Sequence, residues 1–423
     1  MISARYVRDN LAAIKASMKK RQWEFDIDKI LILNEHWRTL KTDTQKLQEK
    51  LNKSSLQISE LKKKKKDEEA ENVRKELVEV KKKIGENEKT LADHEKQIND
   101  MLWNMPNTLH ESVPYGKGEE ENVVIRKFME PKVRKGVGHE EILTKLGMLD
   151  VERAAKTAGA RFYYLKGDMV LLEYSLMRYS LDLLIKKGYT PIEPPYMMRE
   201  KLYRGATALG DFDDVLYKVG GGEDNDNLRL IATSEHSMAA MHSDEILDKG
   251  KLPLRYAGIS PCFRMEAGTH GKDTKGIFRV HQFNKIEQFI FARPEDSWAL
   301  FDEMLANHEE IFKSLKLPYR IVNMCTGDIG IVAAKKYDLE AYLPTQGKYG
   351  EMGSCSNCTD WQSMRLNIRY EDAEERKYVH TLNATAVATS RALVAIVENY
   401  ANDDGTITVP EVLVPYMNKR KIG

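Results

Sequence analysis

A chain of 423 residues is too long for one ordinary domain and predicts two or three. Its residues are 42% hydrophobic, enough for a large core, and 31% charged, an excess that points to long solvated helices. The net charge of +1 excludes nucleic-acid binding by a global field and leaves it to local patches. No apolar run approaches the roughly 20 residues of a membrane-spanning helix.

The N-terminal segment MISARYVRDNLAAIKASMKKR lacks the apolar core and small-residue cleavage site of a secretory signal. Its basic amphipathic spacing weakly resembles a transit peptide, and Asp9 opposes that. Four cysteines in so long a chain make no disulfide framework. The expectation is a protein of a reducing compartment, the cytoplasm.

From about Asp28 to Met101 the chain repeats in heptads. Leu33, Trp37, Leu40, Thr44, Leu47 and Leu51 open one half, and Val73, Leu77, Val80, Ile84, Asn87 and Leu91 open the other, at alternating spacings of four and three. Between the halves, Lys62 to Lys66 followed by Asp67, Glu68 and Glu69 carries no apolar stripe and predicts the reversal. An antiparallel two-helix arm projecting from a globular body results, each helix about 50 Å long at 1.5 Å per residue. The lysine run suits a phosphate backbone and equally suits a solvated face. Asn87 and His94 in the seam are read as fixing register.

Pro106 ends the arm, and a polar connector from Glu111 to Asn122 follows, so the predicted domain boundary lies near residue 107. Met169 to Lys186 is predicted helical, with Gly188 terminating it. Tyr189 to Tyr196 reads as an extended segment whose Pro191, Pro194 and Pro195 confine it to an edge or interface. Gly220 to Asn227 reads as a turn. Ser297 to Leu315 is predicted helical, Tyr319 to Val322 a strand, and Ala384 to Tyr400 a helix with Arg391 inside it. The hairpin-like runs favour an antiparallel sheet.

Chemistry concentrates in four places. Ile259 to Phe289 holds two strand-like runs, the first ending in Arg264-Met265-Glu266, with Arg264 and Glu266 expected on one sheet face. The second carries Arg279, Gln282, Lys285 and Glu287 among Phe278, Val280, Phe283 and Ile286. Two arginines and two glutamates suit a ligand with phosphate and amine groups, or form cross-strand ion pairs. Thr233-Ser234-Glu235 could hold a small amine or cap a helix. Glu351 to Cys358 contains a CxxC that would need further ligands, such as Cys262 and Cys325, to bind zinc. Asn383, Thr385 and Arg391 form the fourth cluster, where an arginine in an apolar stretch requires an anionic partner. His236, His270 and His281 have no metal-ligand spacing.

In order, GYTPIEPPYM, TSE, FRMEAGTHGKDTKGIFRVHQFNKIE, GEMGSCSNC and TLNATAVATSR behind a helical arm resemble the seryl-tRNA synthetase family, class II aminoacyl-tRNA synthetases, over nearly the whole chain. Gly188 to Tyr196 looks like motif 1, Ile259 to Glu287 like motif 2, and Thr381 to Tyr400 like motif 3. The resemblance implies an α+β fold, with a six- to eight-stranded antiparallel catalytic sheet flanked by helices in residues 108–423. Residues 1–107 would be a tRNA-binding domain with the coiled-coil arm.

The resemblance further implies seryl-adenylate formation from L-serine and ATP, then transfer to the 3′ end of tRNA(Ser), with tRNA(Sec) left open. It implies a homodimer joined through motif 1, and an arm that grips tRNA whose acceptor end enters the partner's site. Arg264, Met265, Glu266, Arg279, Val280, Phe283, Glu351, Met352, Gly353, Ser354 and Arg391 would bind ATP. Thr233, Ser234, Glu235, Arg264, Glu287, Asn383 and Thr385 would bind serine. Glu351 and Ser354 would hold Mg²⁺, and Arg264, Arg391 and Glu351 would be catalytic. The turn Ala267 to Gly276 would be the motif 2 loop that meets the acceptor end. Ala384, Ala386 and Ala388 stand where motif 3 is usually glycine-rich, each adding a methyl where ATP is expected to pack. An altered paralogue that binds RNA or a partner through the arm, or a ligase for a carrier protein, are the alternatives.

Overall fold

The computed structural model describes residues 4–132, 136–208, 215–220, 227–266, 276–373 and 375–423. The predicted turn at 220–227 and the loop at 267–276, His270 included, fall almost wholly outside the described residues. The described chain divides into two compact units, Met1–Pro106 and Asn107–Gly423.

The first unit opens with α1 (Ala4–Asp9) and α2 (Leu11–Arg21), followed by two 37-residue helices, α3 (Ile27–Lys63) and α4 (Asp67–Trp103). Asp26 caps α3 by accepting from the Lys29 amide at 3.0 Å. The reversal needs only Lys64 to Lys66, with Lys65 at φ +57°. Lys62 and Lys63 occupy the last turn of α3, and Asp67, Glu68 and Glu69 the first turn of α4. Each charge thus sits at the helix end whose dipole favours it. Leu77, Val80 and Ile84 are buried along the seam, where Asn87 Nδ2 donates to Thr44 Oγ1 at 3.0 Å. Further down, the His36 and His94 rings lie 6.3 Å apart.

The second unit is built on an eight-stranded sheet. Its strands are β1 (Val123–Phe128), β2 (Thr190–Ile192), β3 (Leu254–Phe263), β4 (Gln282–Ala292), β5 (Tyr319–Asn323), β6 (Lys335–Leu343), β7 (Lys348–Asn357) and β8 (His380–Ala388). They are ordered β1-β5-β6-β7-β8-β4-β3-β2 and antiparallel except for the pair β2–β3. Proline-bearing β2 lies at the edge, where a missing N–H breaks no ladder. Helices α5 (Asp168–Lys186), α7 (Ser297–Ser314) and α9 (Thr389–Tyr400) cover one face through Leu172, Leu176, Phe301, Met304, Leu393 and Val397. The short α6 (Ser234–Ala240) and α8 (Trp361–Leu366) pack over part of the other face through Met238 and Leu366 against Phe289 and Phe291.

Two local expectations differ from the structure. The helix predicted from Ala384 begins at Thr389, because 380–388 is a central strand. The polar–apolar alternation of Thr381 to Ala386 is cut off by a bulge at Ala386, and Ala386-Val387-Ala388 then runs into the helix as one small apolar stretch that mimics its first turn. Likewise β3 ends at Phe263, so Arg264 to Glu266 lie beyond the strand, and Glu266 takes φ +50°. Strict alternation therefore does not set the direction of Arg264 and Glu266.

Candidate active site

Two β-bulges define the face on which the polar residues collect. In the β6–β7 pair, Leu339 opposes Gly353 and Glu340 opposes Glu351, leaving Met352 as the extra residue. Glu351 and Ser354, three apart in sequence, thereby share a face with Asp338, Glu340 and Lys336. A second bulge, between Ile286 and Glu287 opposite Ala386, aligns Glu287 with Thr385 and Lys285 with Ala388. Asn383 and Thr385 thus share a face with Lys285 and Glu287. The two sets meet at Gly353, where a Cβ would stand 2.5 Å from the Thr385 Cβ. Glycine is required there so that Thr385 can press against the strand beside it.

Toward one end of this face opens a cavity of about 610 Å³, lined by Phe278, Arg279, Arg320, Lys336, Asp338, Glu351 and Arg391 among others. Arg391, on α9, donates through Nη1 to the Glu351 carbonyl at 3.1 Å and lies 3.0 Å from its carboxylate. Its guanidinium stands 5.4 Å from the Phe278 ring centre. Burial alone would raise the Glu351 carboxyl, but the Arg391 and Lys336 charges outweigh it and hold the group low. Arg279 donates to Glu266 at 2.8 Å. Asp338 is buried with Lys336 Nζ at 3.5 Å, and burial raises its carboxyl.

Toward the other end, Thr233 caps α6 by accepting from the Glu235 amide at 3.2 Å, so the capping role is real. Glu235 accepts from Asn383 Nδ2 at 3.1 Å and Gln362 Nε2 at 3.2 Å. Burial, then the negative charge of Glu287, pushes its carboxyl up to about 7 against the pull of Lys285 and Arg264. Lys285 Nζ lies 2.6 Å from Glu287 Oε2, out of line for a hydrogen bond. The buried Ser234 hydroxyl also has no hydrogen-bond partner among the described residues. Arg264 stands between the two ends. It donates to the Ala232 carbonyl at 3.2 Å, lies 5.3 Å from the Phe283 ring centre, and lowers both the Glu235 and Glu351 carboxyls.

The structure therefore gathers Arg264, Glu351, Ser354, Arg391, Thr233, Glu235, Glu287, Asn383 and Thr385 around one sheet face. Met352 and Val280 belong instead to the apolar core, leaving only their backbones for a ligand, and the Met265 side chain is exposed. Ala384 and Ala386 also lie in that core, whereas Ala388, opposite Lys285, lies outside it. Gln362, Lys336 and Asp338 join the site without a motif to announce them. Only the pairing of β6 with β7, and of α8 with the sheet, brings them there. All four cysteines are buried, and burial raises the Cys355 and Cys358 thiols. Among the described residues no group of three or more His, Cys, Asp or Glu side chains is placed to hold a metal ion.

Glu351, which lines the cavity among both basic and acidic side chains, and Ser354 on the same face present hard oxygen donors, a fit for Mg²⁺ arriving with phosphates. With so few protein ligands, such an ion would keep phosphate and water oxygens in its shell.

Residues 1–109 match the model of the seryl-tRNA synthetase N-terminal domain. Residues 217–400 match the class II tRNA synthetase core domain for G, H, P, S and T. The chain is 47% identical to a serine–tRNA ligase of Thermococcus sibiricus, over all of this chain and 97% of the relative. The seryl-tRNA synthetase of Pyrococcus horikoshii complexed with ATP superposes with a TM-score of 0.90 at 46% identity, covering 100% of this chain and 99% of that one. A cytoplasmic serine–tRNA ligase of Naegleria fowleri in complex with AMP gives 0.86 at 37% identity, covering 98% and 96%.

Proposed function

Because the chain belongs to the seryl-tRNA synthetases, within the class II aminoacyl-tRNA synthetases, we propose a division of labour along its sheet face. The chain is an ATP-dependent ligase that activates L-serine to seryl-adenylate with release of pyrophosphate and passes serine to the 3′ end of tRNA(Ser). ATP lies in the cavity at the Arg391 end, and serine lies at the Glu235 end. Arg264, between them, meets both the α-phosphate and the serine carboxylate. Its dual charge effect on Glu235 and Glu351 supports that placing.

The serine carboxylate attacks the α-phosphorus, so no protein nucleophile is needed. Catalysis rests on holding the two ligands in line and on neutralising phosphate charge with Arg264 and Arg391. When bound, Mg²⁺ at Glu351 and Ser354 supplies further neutralisation of the phosphates. Arg391 leaves the Glu351 carboxylate to face phosphate when ATP enters. Glu235, with Asn383 beside it, accepts the serine ammonium. Thr385, Thr233 and Glu287 surround the hydroxyl, so that a substrate lacking it leaves buried polar groups unpaired.

Two partner assignments complete the reading. The first unit, with its Lys62–Lys66 run around the helix reversal, is the tRNA-binding domain. The enzyme is a homodimer through motif 1, supported by the outward Leu171, Tyr174 and Ile185 of α5, which are 50%, 61% and 44% exposed. Among the described residues no helix is long and apolar enough to cross a membrane.

The observation that carries the reading is the Gly353–Thr385 contact, which joins the phosphate end and the amino-acid end into one site. Serine-dependent exchange of pyrophosphate into ATP, with Mg²⁺ present, tests it. No exchange at saturating serine and ATP would sink it.

A further inference from the structure

His139 lies outside every motif named above, yet it touches two of them. It begins the helix His139–Lys145 and is 6% exposed. Its Nδ1 is 3.0 Å from Glu398 Oε1, and its Nε2 accepts from the Ile277 backbone N–H at 3.2 Å. An acceptor Nε2 carries no proton, so the ring is the neutral tautomer whose Nδ1–H donates to Glu398. Glu398 is 2% exposed, and its other oxygen accepts from the Thr345 hydroxyl at 2.6 Å and the Thr345 amide at 3.3 Å. The carboxylate is thus held from the β6–β7 turn as well, which fixes the imidazole in direction.

The two ends of this relay bear on ATP contacts. Ile277 immediately precedes Phe278 and Arg279. Glu398 lies on α9 seven residues, about two helical turns, after Arg391. Phe278 and Arg391 face each other across 5.4 Å. The approach at Gly276 is tight: with φ +73°, a Cβ there would fall 2.0 Å from His139 Nε2. A residue larger than glycine would displace the ring or the backbone it holds.

We propose that His139, oriented by Glu398, is a positioning residue for ATP: it fixes the Ile277 backbone so that Phe278 and Arg279 stand correctly against the Arg391 helix. The inference rests on the reading that this end of the sheet face binds ATP. His139 touches no substrate and acts through the chain it anchors.

Two isosteric half-replacements separate its hydrogen bonds. His139→Gln places an acceptor near the Nε2 position and can keep the Ile277 bond, whereas His139→Asn places a donor near Nδ1 and keeps only the Glu398 bond. In pyrophosphate exchange, His139→Asn should raise the KM for ATP about tenfold with the KM for serine unchanged, and His139→Gln should stay within about threefold of wild type. Equal effects of the two variants, or a larger effect of Gln, would overturn the proposal. If either variant fails to fold, Gly276→Ala in the full chain serves instead, and an unchanged KM for ATP there overturns it equally. Hydrogen exchange at the Ile277 amide gives a readout independent of activity. Protection in wild type and its loss in Gly276→Ala support the anchor, and an unprotected wild-type amide refutes it. Absent exchange activity in wild type with Ile277 protected would count against the functional reading and leave the anchor standing.

Discussion

The two-helix arm and the catalytic sheet solve opposite problems. The arm is long and thin, with a single seam as its core, and most of its side chains face water. Every position along it follows from a heptad, so polar exceptions such as Asn87 and Thr44 meet each other across the seam. The sheet is buried on one face by three helices and must present charged groups on the other. Among the strands of the site it achieves this by breaking its own period at Met352 and Ala386. Regularity suits a surface that meets a long repeating backbone, while interruption suits a site that must converge on two small molecules. If this contrast is sound, changes in the sheet should strike the chemistry and changes in the arm should spare it.

The largest effect belongs to Arg391→Ala. Removing the cation that faces Glu351 and the phosphates should lower the exchange rate by about 10³ while leaving the circular-dichroism spectrum of the fold in place. Near wild-type exchange in that variant would break the assignment of the phosphate end.

Next comes Gly353→Ala, which places a methyl 2.5 Å from the Thr385 Cβ at the junction of the two ends. Overpacking there should raise the KM for serine by about tenfold to a hundredfold, read by exchange at saturating ATP. An equal rise in the KM for ATP alone would place the junction wrongly.

A smaller, pH-linked effect comes from Glu235. Its carboxyl is raised from 4.5 to about 7, chiefly by burial. In the serine-free protein it favours folding while protonated; that contribution is complete below about 4.5 and is lost as pH rises through 7. Binding the serine ammonium requires the carboxylate, so the KM for serine should be flat above about pH 7.5 and climb as pH falls below 7. Glu235→Gln should raise the KM and flatten that slope; a pH-independent KM in wild type contradicts the role.

The same contrast explains what could be read from residues alone. The arm was legible because one period governs it, down to the lysines at its turn. Motif resemblance located Arg264, Glu351, Asn383 and Arg391, since each sits in a short run that carries its own signature. The facing of Glu351 with Ser354 was not legible, because bulges arise from pairing between strands and leave no trace in one strand's sequence. The run 384–388 read as helix for a related reason: the bulge at Ala386 cuts the alternation of 381–386 short and leaves Ala386 to Ala388 continuous with the helix. Gln362 and His139 were silent because their partners lie far away in the chain, as with His139 and Glu398, and Lys336 and Asp338 because only the pairing of β6 with β7 brings them to Glu351.

The most direct measurement compares both half-reactions in one preparation after Lys62 to Lys66 are all replaced by Glu. The account predicts unchanged serine-dependent pyrophosphate exchange and a KM for tRNA(Ser) in aminoacylation raised by about tenfold or more, with a shallower salt dependence than wild type. Exchange lost together with aminoacylation, or aminoacylation unchanged, would contradict the division between a chemical sheet and an RNA-binding arm.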